Sequence, residues 1–191
     1  MIKILKNLLR REAAPAEAPQ VRVLFVCTGN ICRSPTAEAV FRAKVQAAGL
    51  AGRIAVGSAG THAHRGSEPD ARAQRFAQAR GYDLSAIRGR QLVAEDLTVY
   101  DRVLLMDDDN LRVLQKIAPP PAPATVELLM VHATHHGSQR DVPDPYYGAP
   151  QGFEQVLDMV EDACDGLLRT VAASLPPPSP WASKLLGFCY S

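Results

Sequence analysis

The chain has 191 residues and a formal net charge of +1, so it is long enough for one well-buried domain and too evenly charged for a globally basic nucleic-acid binder. No apolar run approaches the roughly 20 residues that cross a bilayer as a helix. Four cysteines, Cys27, Cys32, Cys164 and Cys189, with no secretory leader, argue against a disulfide framework and for a reducing, cytoplasmic setting.

Met1 to Arg11 is short, basic and apolar, with Ile2, Leu5, Leu8 and Leu9 near one helical face. It reads as a loosely ordered tail or a helix docked on the domain, against the alternative of an interfacial helix touching a membrane. Glu12 to Gln20, rich in Ala, Pro and Glu, reads as a linker, so residues 1–20 form an N-terminal extension. The domain proper is expected over 21–174. Val21 to Val26 is a first strand and Thr36 to Ala48 a helix ending near Gly49. Arg53 to Ser58 is a second strand, followed by a turn at Ala59-Gly60. Pro69 to Arg80 is a helix, with Gly81 after its end. Leu84 to Gln91 is a basic loop, Ala94 to Val99 a short helix, and Asp101 to Met106 a third strand. Asn110 to Ile117 is a helix stopped by the cluster Pro119, Pro120, Pro121 and Pro123. Val126 to Val131 is a fourth strand, and His132 to Val142 a polar loop. Phe153 to Ala173 repeats apolar residues at helical period. Residues 175–191 form a proline-rich and aromatic tail. Strands alternating with helices predict an α/β fold, a four-stranded parallel sheet with helices on both faces.

The chemistry concentrates where the first strand ends, at Cys27-Thr28-Gly29-Asn30-Ile31-Cys32-Arg33-Ser34-Pro35. A phosphate ester is a poor electrophile ringed by anionic oxygens. Attack on it needs neutralised oxygens, an in-line nucleophile and a protonated leaving group. Backbone N–H groups curling round a loop before a helix form an anion-binding nest. Gly29 permits a backbone conformation closed to most residues, and Asn30 is among the few others that tolerate it. Arg33 offers a planar fork for two phosphoryl oxygens. Cys27 would lie at the floor of the nest, where those N–H groups, Arg33 and the Ser34 hydroxyl favour its thiolate. The spacing Cys-x5-Arg is weak by itself; the strand before it and the Ser-Pro helix start after it strengthen the reading.

Val26 to Pro35 resembles the signature of the low-molecular-weight protein tyrosine phosphatases. The likeness continues, in the family's order, through Ser58-Ala59-Gly60-Thr61, Gly81-Tyr82-Asp83-Leu84-Ser85, Arg90-Gln91-Leu92, Leu105-Met106-Asp107 with Asn110, and Asp144-Pro145-Tyr146-Tyr147-Gly148. It covers about Val21 to Ala173. The resemblance implies a three-layer α/β/α phosphotyrosine phosphatase I-like fold and hydrolysis of phosphotyrosine in proteins through a cysteinyl-phosphate. It makes Cys27 the nucleophile, Arg33 the phosphate clamp and Asp144, between Pro143 and Pro145, general acid and then base. Thr28, Gly29, Asn30, Ile31, Cys32 and Ser34 would bind the phosphate, and Tyr146 and Tyr147 the substrate ring. No cofactor or metal is implied. Partners would be phosphotyrosine proteins and a tyrosine kinase, since the family's tyrosine pair can itself be phosphorylated.

The chain also departs from the pattern. Ile87 stands where relatives commonly carry a histidine supporting the loop serine, so Ser34 needs another partner or none. Arg88 and Arg90 are expected to face solvent. His62 and His64 stand where many relatives have an aromatic, and would make the pocket mouth more polar. His132, His135 and His136 lack partners at metal-ligand spacing and read as a flexible polar loop. Asp107 resembles the family's structural aspartate, while Asp108 and Asp109 suit a helix N-terminus. Cys32 is either a disulfide partner for Cys27 under peroxide or a small buried filler. Cys164 falls on the apolar face of the last helix. Three rival readings stand beside this one. A thioredoxin-coupled arsenate reductase of this fold needs further cysteines between Gly81 and Leu92, and there are none. Protein arginine phosphatases resemble this loop but carry Thr where Ile31 stands, and a bulky apolar residue there favours a flat aromatic ring. A non-catalytic phosphoprotein-binding module would have no use for Cys27, Arg33 and Asp144 together.

Overall fold

The computed structural model describes residues 18–117 and 121–177. Most of both terminal segments, with Pro119 and Pro120, lies outside that range. Four strands, β1 (Val21–Cys27), β2 (Ile54–Gly60), β3 (Arg102–Leu105) and β4 (Thr125–Leu128), form one parallel sheet in the order β2-β1-β3-β4. The helices are α1 (Arg33–Ala47), α2 (Ala71–Ala79), α3 (Asp96–Val99), α4 (Asp108–Ile117) and α5 (Gln151–Ser174). This is the expected α/β architecture. Among the described residues, no helix is long and apolar enough to cross a membrane.

The unbroken apolar run of β1 follows from its central place. Val23, Phe25 and Cys27 face a core built with Val40 and Phe41 of α1, Ala73 of α2 and Val156, Val160 and Leu167 of α5. Leu24 and Val26 face the opposite core, with Val103 and Leu105 of β3, Leu97 of α3 and Leu114 of α4. A strand covered on both faces has no solvent side on which to place polar residues. From β1 the chain crosses to β2 on one side, while β3 pairs on the other. The C-terminal end of β1 therefore opens at the point where strand order reverses, where open α/β sheets form their crevices.

Several boundaries differ from those read in the sequence. Helix α1 begins three residues earlier, at Arg33, because its first turn is buried against the loop and shows no amphipathic alternation. Ala59 and Gly60 continue β2, paired with Val26 and Cys27, instead of turning the chain. The cap of α2 is Asp70, whose carboxylate accepts from the Arg72 N–H at 2.8 Å. Strand β4 ends at Leu128 and runs into a 3-10 turn, Leu129–His132. Helix α5 meets that turn through Gly166, where a Cβ would lie 2.0 Å from the His132 carbonyl oxygen. Gln20 belongs to the domain edge rather than to a free linker, since its N–H donates to the Arg53 carbonyl at 2.8 Å.

The histidine-rich segment is not a loose loop. Asp162 of α5 accepts the backbone N–H groups of Thr134, His135 and His136 at 3.0, 2.8 and 2.8 Å, and His132 Nε2 lies 3.0 Å from Glu127. Burial pushes the Asp162 carboxyl up, but the three N–H donors outweigh it and bring it down to about 2. A carboxyl lowered on folding stabilises the fold above its ordinary value and loses that contribution as pH falls through the folded value. Stability is therefore expected to decline between about pH 4 and pH 2 in the wild type, and more weakly in Asp162→Asn. Urea midpoints measured across that range check it; parallel curves would remove Asp162 from the account.

Candidate active site

Cys27 ends β1 and is 2% exposed. Its sulfur accepts the Asn30 N–H at 3.3 Å and lies 3.0 Å from the Ser34 hydroxyl. The left-handed position in the loop is Asn30, φ 54°, and not Gly29. Asparagine adopts that conformation at low cost, and here it earns further contacts. Asn30 Nδ2 donates to the Ser34 and Ser58 hydroxyls, both at 2.9 Å, and its Oδ1 accepts the Arg90 N–H at 3.0 Å. The loop rests on the end of β2. A Cβ at Gly60 would lie 2.6 Å from the Thr28 carbonyl oxygen and 2.8 Å from the Asn30 nitrogen, so only glycine fits.

Arg33, 3% exposed in the first turn of α1, reaches across the top of the sheet. Its Nη1 donates to Asp107 at 2.5 Å and to the Val142 carbonyl at 3.1 Å. Its Nη2 donates to Asp144 at 2.8 Å and to the Thr28 hydroxyl at 3.2 Å. Burial would weaken the charge, yet Cys27, Asp144 and Asp107 more than offset it and raise the Arg33 pKa above the ordinary value. Asp107 and Val142 hold the guanidinium from behind, which leaves the Nη2 side towards Cys27 and Asp144. Asp144 stays half-exposed, and its second oxygen accepts the Tyr146 N–H at 3.1 Å.

A pocket of about 180 Å³ opens above Cys27, lined by Thr28, Gly29, Ile31, Cys32, Arg33, Asp144, Tyr146 and Tyr147 as well. The chain thus gathers residues from β1, α1 and a loop more than a hundred positions later. Tyr146 and Tyr147 meet edge to face, 4.8 Å between centroids, and the Arg72 guanidinium lies 5.4 Å from the Tyr146 ring. Asp70 grips Arg72 with both oxygens, which fixes it there. Burial, then Asp70, Cys27 and Asp144, push the Cys32 thiol up to about 12. At neutral pH Cys32 therefore adds no negative charge to the nest.

A sequence model of the low molecular weight phosphotyrosine protein phosphatases matches residues 22–176. The chain belongs to that family. It is 46% identical over 153 residues to a low molecular weight protein-tyrosine-phosphatase of Streptomyces coelicolor, covering 78% of this chain and 93% of the relative. The solved protein tyrosine phosphatase of Entamoeba histolytica, with Hepes in its active site, superposes with a TM-score of 0.76 at 36% identity, covering 80% of this chain and 97% of that one. The arginine phosphatase YwlE, in a mutant form with a phosphorylated active-site serine, superposes at 0.72 with 27% identity, covering 81% and 97%. The family fold is thus shared by enzymes named for different phosphoryl substrates.

Within this phosphatase, the side chains of the loop divide between the pocket and its floor. The side chains of Asn30 and Ser34 lie beneath the pocket, fully buried, and brace its floor instead of lining it. His62 and His64 are exposed and do not line the pocket; the His62 ring turns to the Thr61 hydroxyl at 3.0 Å. Arg90 does not simply face solvent, since it pairs with Asp96 at 3.0 Å while its N–H holds Asn30. Cys164 is fully buried in the core. Sequence reasoning passed over Glu38 and Ser58. Both are polar and nearly enclosed, at 6% and 5% exposure, and both join the hydrogen bonds under Asn30. The signal was available in α1, where Glu38 stands four residues after Ser34 and shares its buried face.

Proposed function

We propose that this phosphatase hydrolyses phosphotyrosine in proteins through a phosphorylated Cys27. The observation that carries the reading is the position of Arg33, whose Nη2 side spans from the Cys27 loop to Asp144 within one small pocket. A phosphate dianion entering there gives the nest N–H groups and Arg33 new acceptors. Cys27 Sγ forms a bond to phosphorus while the P–O bond to the aryl ring breaks, and Asp144 delivers a proton to the departing phenolic oxygen. Asp144 then takes a proton from water as that water attacks phosphorus. The S–P bond breaks, and the thiolate returns with release of inorganic phosphate. Tyr146 and Tyr147 flank the substrate ring at the entrance. Tyr147, 95% exposed, is also open to a tyrosine kinase. A working thiol that needs no oxidation suits a cytoplasmic setting.

Ile31 favours a flat aromatic substrate over a phosphorylated guanidinium, because its apolar side chain lines the pocket wall and offers no hydrogen bond to the guanidinium N–H groups. A phosphotyrosine peptide is expected to turn over without added metal at a kcat/KM at least roughly tenfold above that of the matching phosphoarginine peptide. Ile31→Thr is expected to narrow that ratio by about tenfold. Equal or inverted turnover in the wild type would assign the enzyme to the arginine class.

A further inference from the structure

Ser34 has no histidine behind it, yet its hydroxyl is not without support. A line of buried polar groups runs from the Cys27 sulfur to the protein surface. Ser34 Oγ lies 3.0 Å from Cys27 Sγ and accepts from Asn30 Nδ2 at 2.9 Å. The second Nδ2 proton goes to Ser58 Oγ at 2.9 Å, and Ser58 Oγ donates to Glu38 Oε2 at 2.6 Å. Glu38 Oε1 takes the Arg42 guanidinium, which also donates to the Val56 carbonyl at 3.1 Å. The Glu38 side chain is 8% exposed and that of Arg42 is 60% exposed, so the line begins at solvent and ends at the sulfur.

From Glu38 as far as Asn30, each donor along this line has one assignment. A carboxylate only accepts, so the Ser58 proton must point to Glu38. Ser58 then presents lone pairs to Asn30, which fixes the amide with its nitrogen towards both serines and its oxygen towards the Arg90 N–H. Ser34 receives one of those amide protons, which leaves its own hydroxyl proton free for the sulfur or for the Ala59 carbonyl at 3.2 Å. A protonated Glu38 could instead donate to Ser58, and the order would no longer be fixed. Ile87 lines the cleft beside Glu38 and brings no polar group, while Arg42, Arg88 and Arg90 line it as cations.

We propose that the Glu38–Arg42 ion pair is a positioning device for catalysis: its charge orders the hydrogen bonds through Ser58 and Asn30, so that Ser34 donates to the Cys27 thiolate. Neither residue touches substrate. The inference rests on the reading of Cys27 as nucleophile.

The test is Arg42→Met beside Arg42→Lys and Glu38→Gln in the full chain. It compares kcat/KM on an aryl phosphate, the rate of Cys27 alkylation by iodoacetate at neutral pH, and the thermal midpoint. Arg42 is mostly exposed, so its truncation leaves the core in place. Arg42→Met and Glu38→Gln are expected to slow both turnover and alkylation by roughly threefold to thirtyfold, and Arg42→Lys to restore both to within about twofold. The double variant is expected to lose no more than the worse single one. Wild-type alkylation and turnover in Arg42→Met would overturn the proposal, as would equal losses in Arg42→Lys and Arg42→Met. A Cys27→Ser enzyme that still turned over would instead sink the nucleophile itself, so the two failures are distinguishable.

Discussion

Cys27→Ser is expected to lower kcat on a phosphotyrosine peptide by at least about 10³-fold, with inorganic phosphate still binding as a competitive ligand. The substitution exchanges one small buried atom for another, so the loop keeps its shape. The Asn30 N–H and the Ser34 hydroxyl, at 3.3 and 3.0 Å from the sulfur, retain an acceptor. What disappears is the sulfur nucleophile, and a thiol as a class gives up its proton far more readily than a hydroxyl. A serine hydroxyl needs a base to remove its proton, and among the described residues no free carboxylate or histidine contacts position 27; Asp144 is engaged with Arg33 and with the Tyr146 N–H. Steady-state phosphate release checks the loss of rate, and calorimetric titration with phosphate checks that the nest survives. A serine enzyme within tenfold of wild type would show that Cys27 is not the attacking group.

Asp144→Asn is expected to cost about 10²- to 10⁴-fold in kcat when the leaving group is a phenol of ordinary acidity. The cost should shrink to about tenfold when the leaving phenolate is stable without a proton, as with a nitrophenyl ester. This difference in losses is the signature of an acid, because a residue that only shaped the pocket would slow both substrates alike. The local structure favours a clean comparison. Pro143 and Pro145 restrict the backbone on both sides, and an asparagine oxygen can still accept the Tyr146 N–H. Arg33 keeps Asp107 and the Val142 carbonyl as anchors when its contact to position 144 weakens. Equal losses on the two substrates would remove Asp144 from proton transfer.

The two substitutions probe residues separated by more than a hundred positions in the chain, and the sequence carried them unequally. Cys27, Gly29, Asn30 and Arg33 were legible together because a strand end, a turn and a helix start must lie within a few residues of one another, and local backbone rules connect them. Asp144 was legible only through its likeness to a family loop, since Asp-Pro alone marks any turn. In the sequence Val142 is simply the end of a polar loop. It is fully buried, donates its N–H to the Met106 carbonyl at 2.8 Å and gives its own carbonyl to Arg33. Nothing in the local sequence around Val142 announces that role.

By itself the sequence determined the alternation of strands and helices, the double-sided burial of β1 and the nucleophile loop, because these depend on periodicity and on neighbours along the chain. Only the tertiary structure decided which loop residues meet the pocket and which brace it. Gly29 proved conformationally ordinary and Asn30 took the left-handed position, because the Asn30 side chain has three partners drawn from α1, β2 and the segment at Arg90. Likewise Glu38 reads as one more helical acid until β2 sets Ser58 against it. Contacts between distant segments leave no periodic trace in the chain; they exist only once the sheet order β2-β1-β3-β4 has brought those segments together.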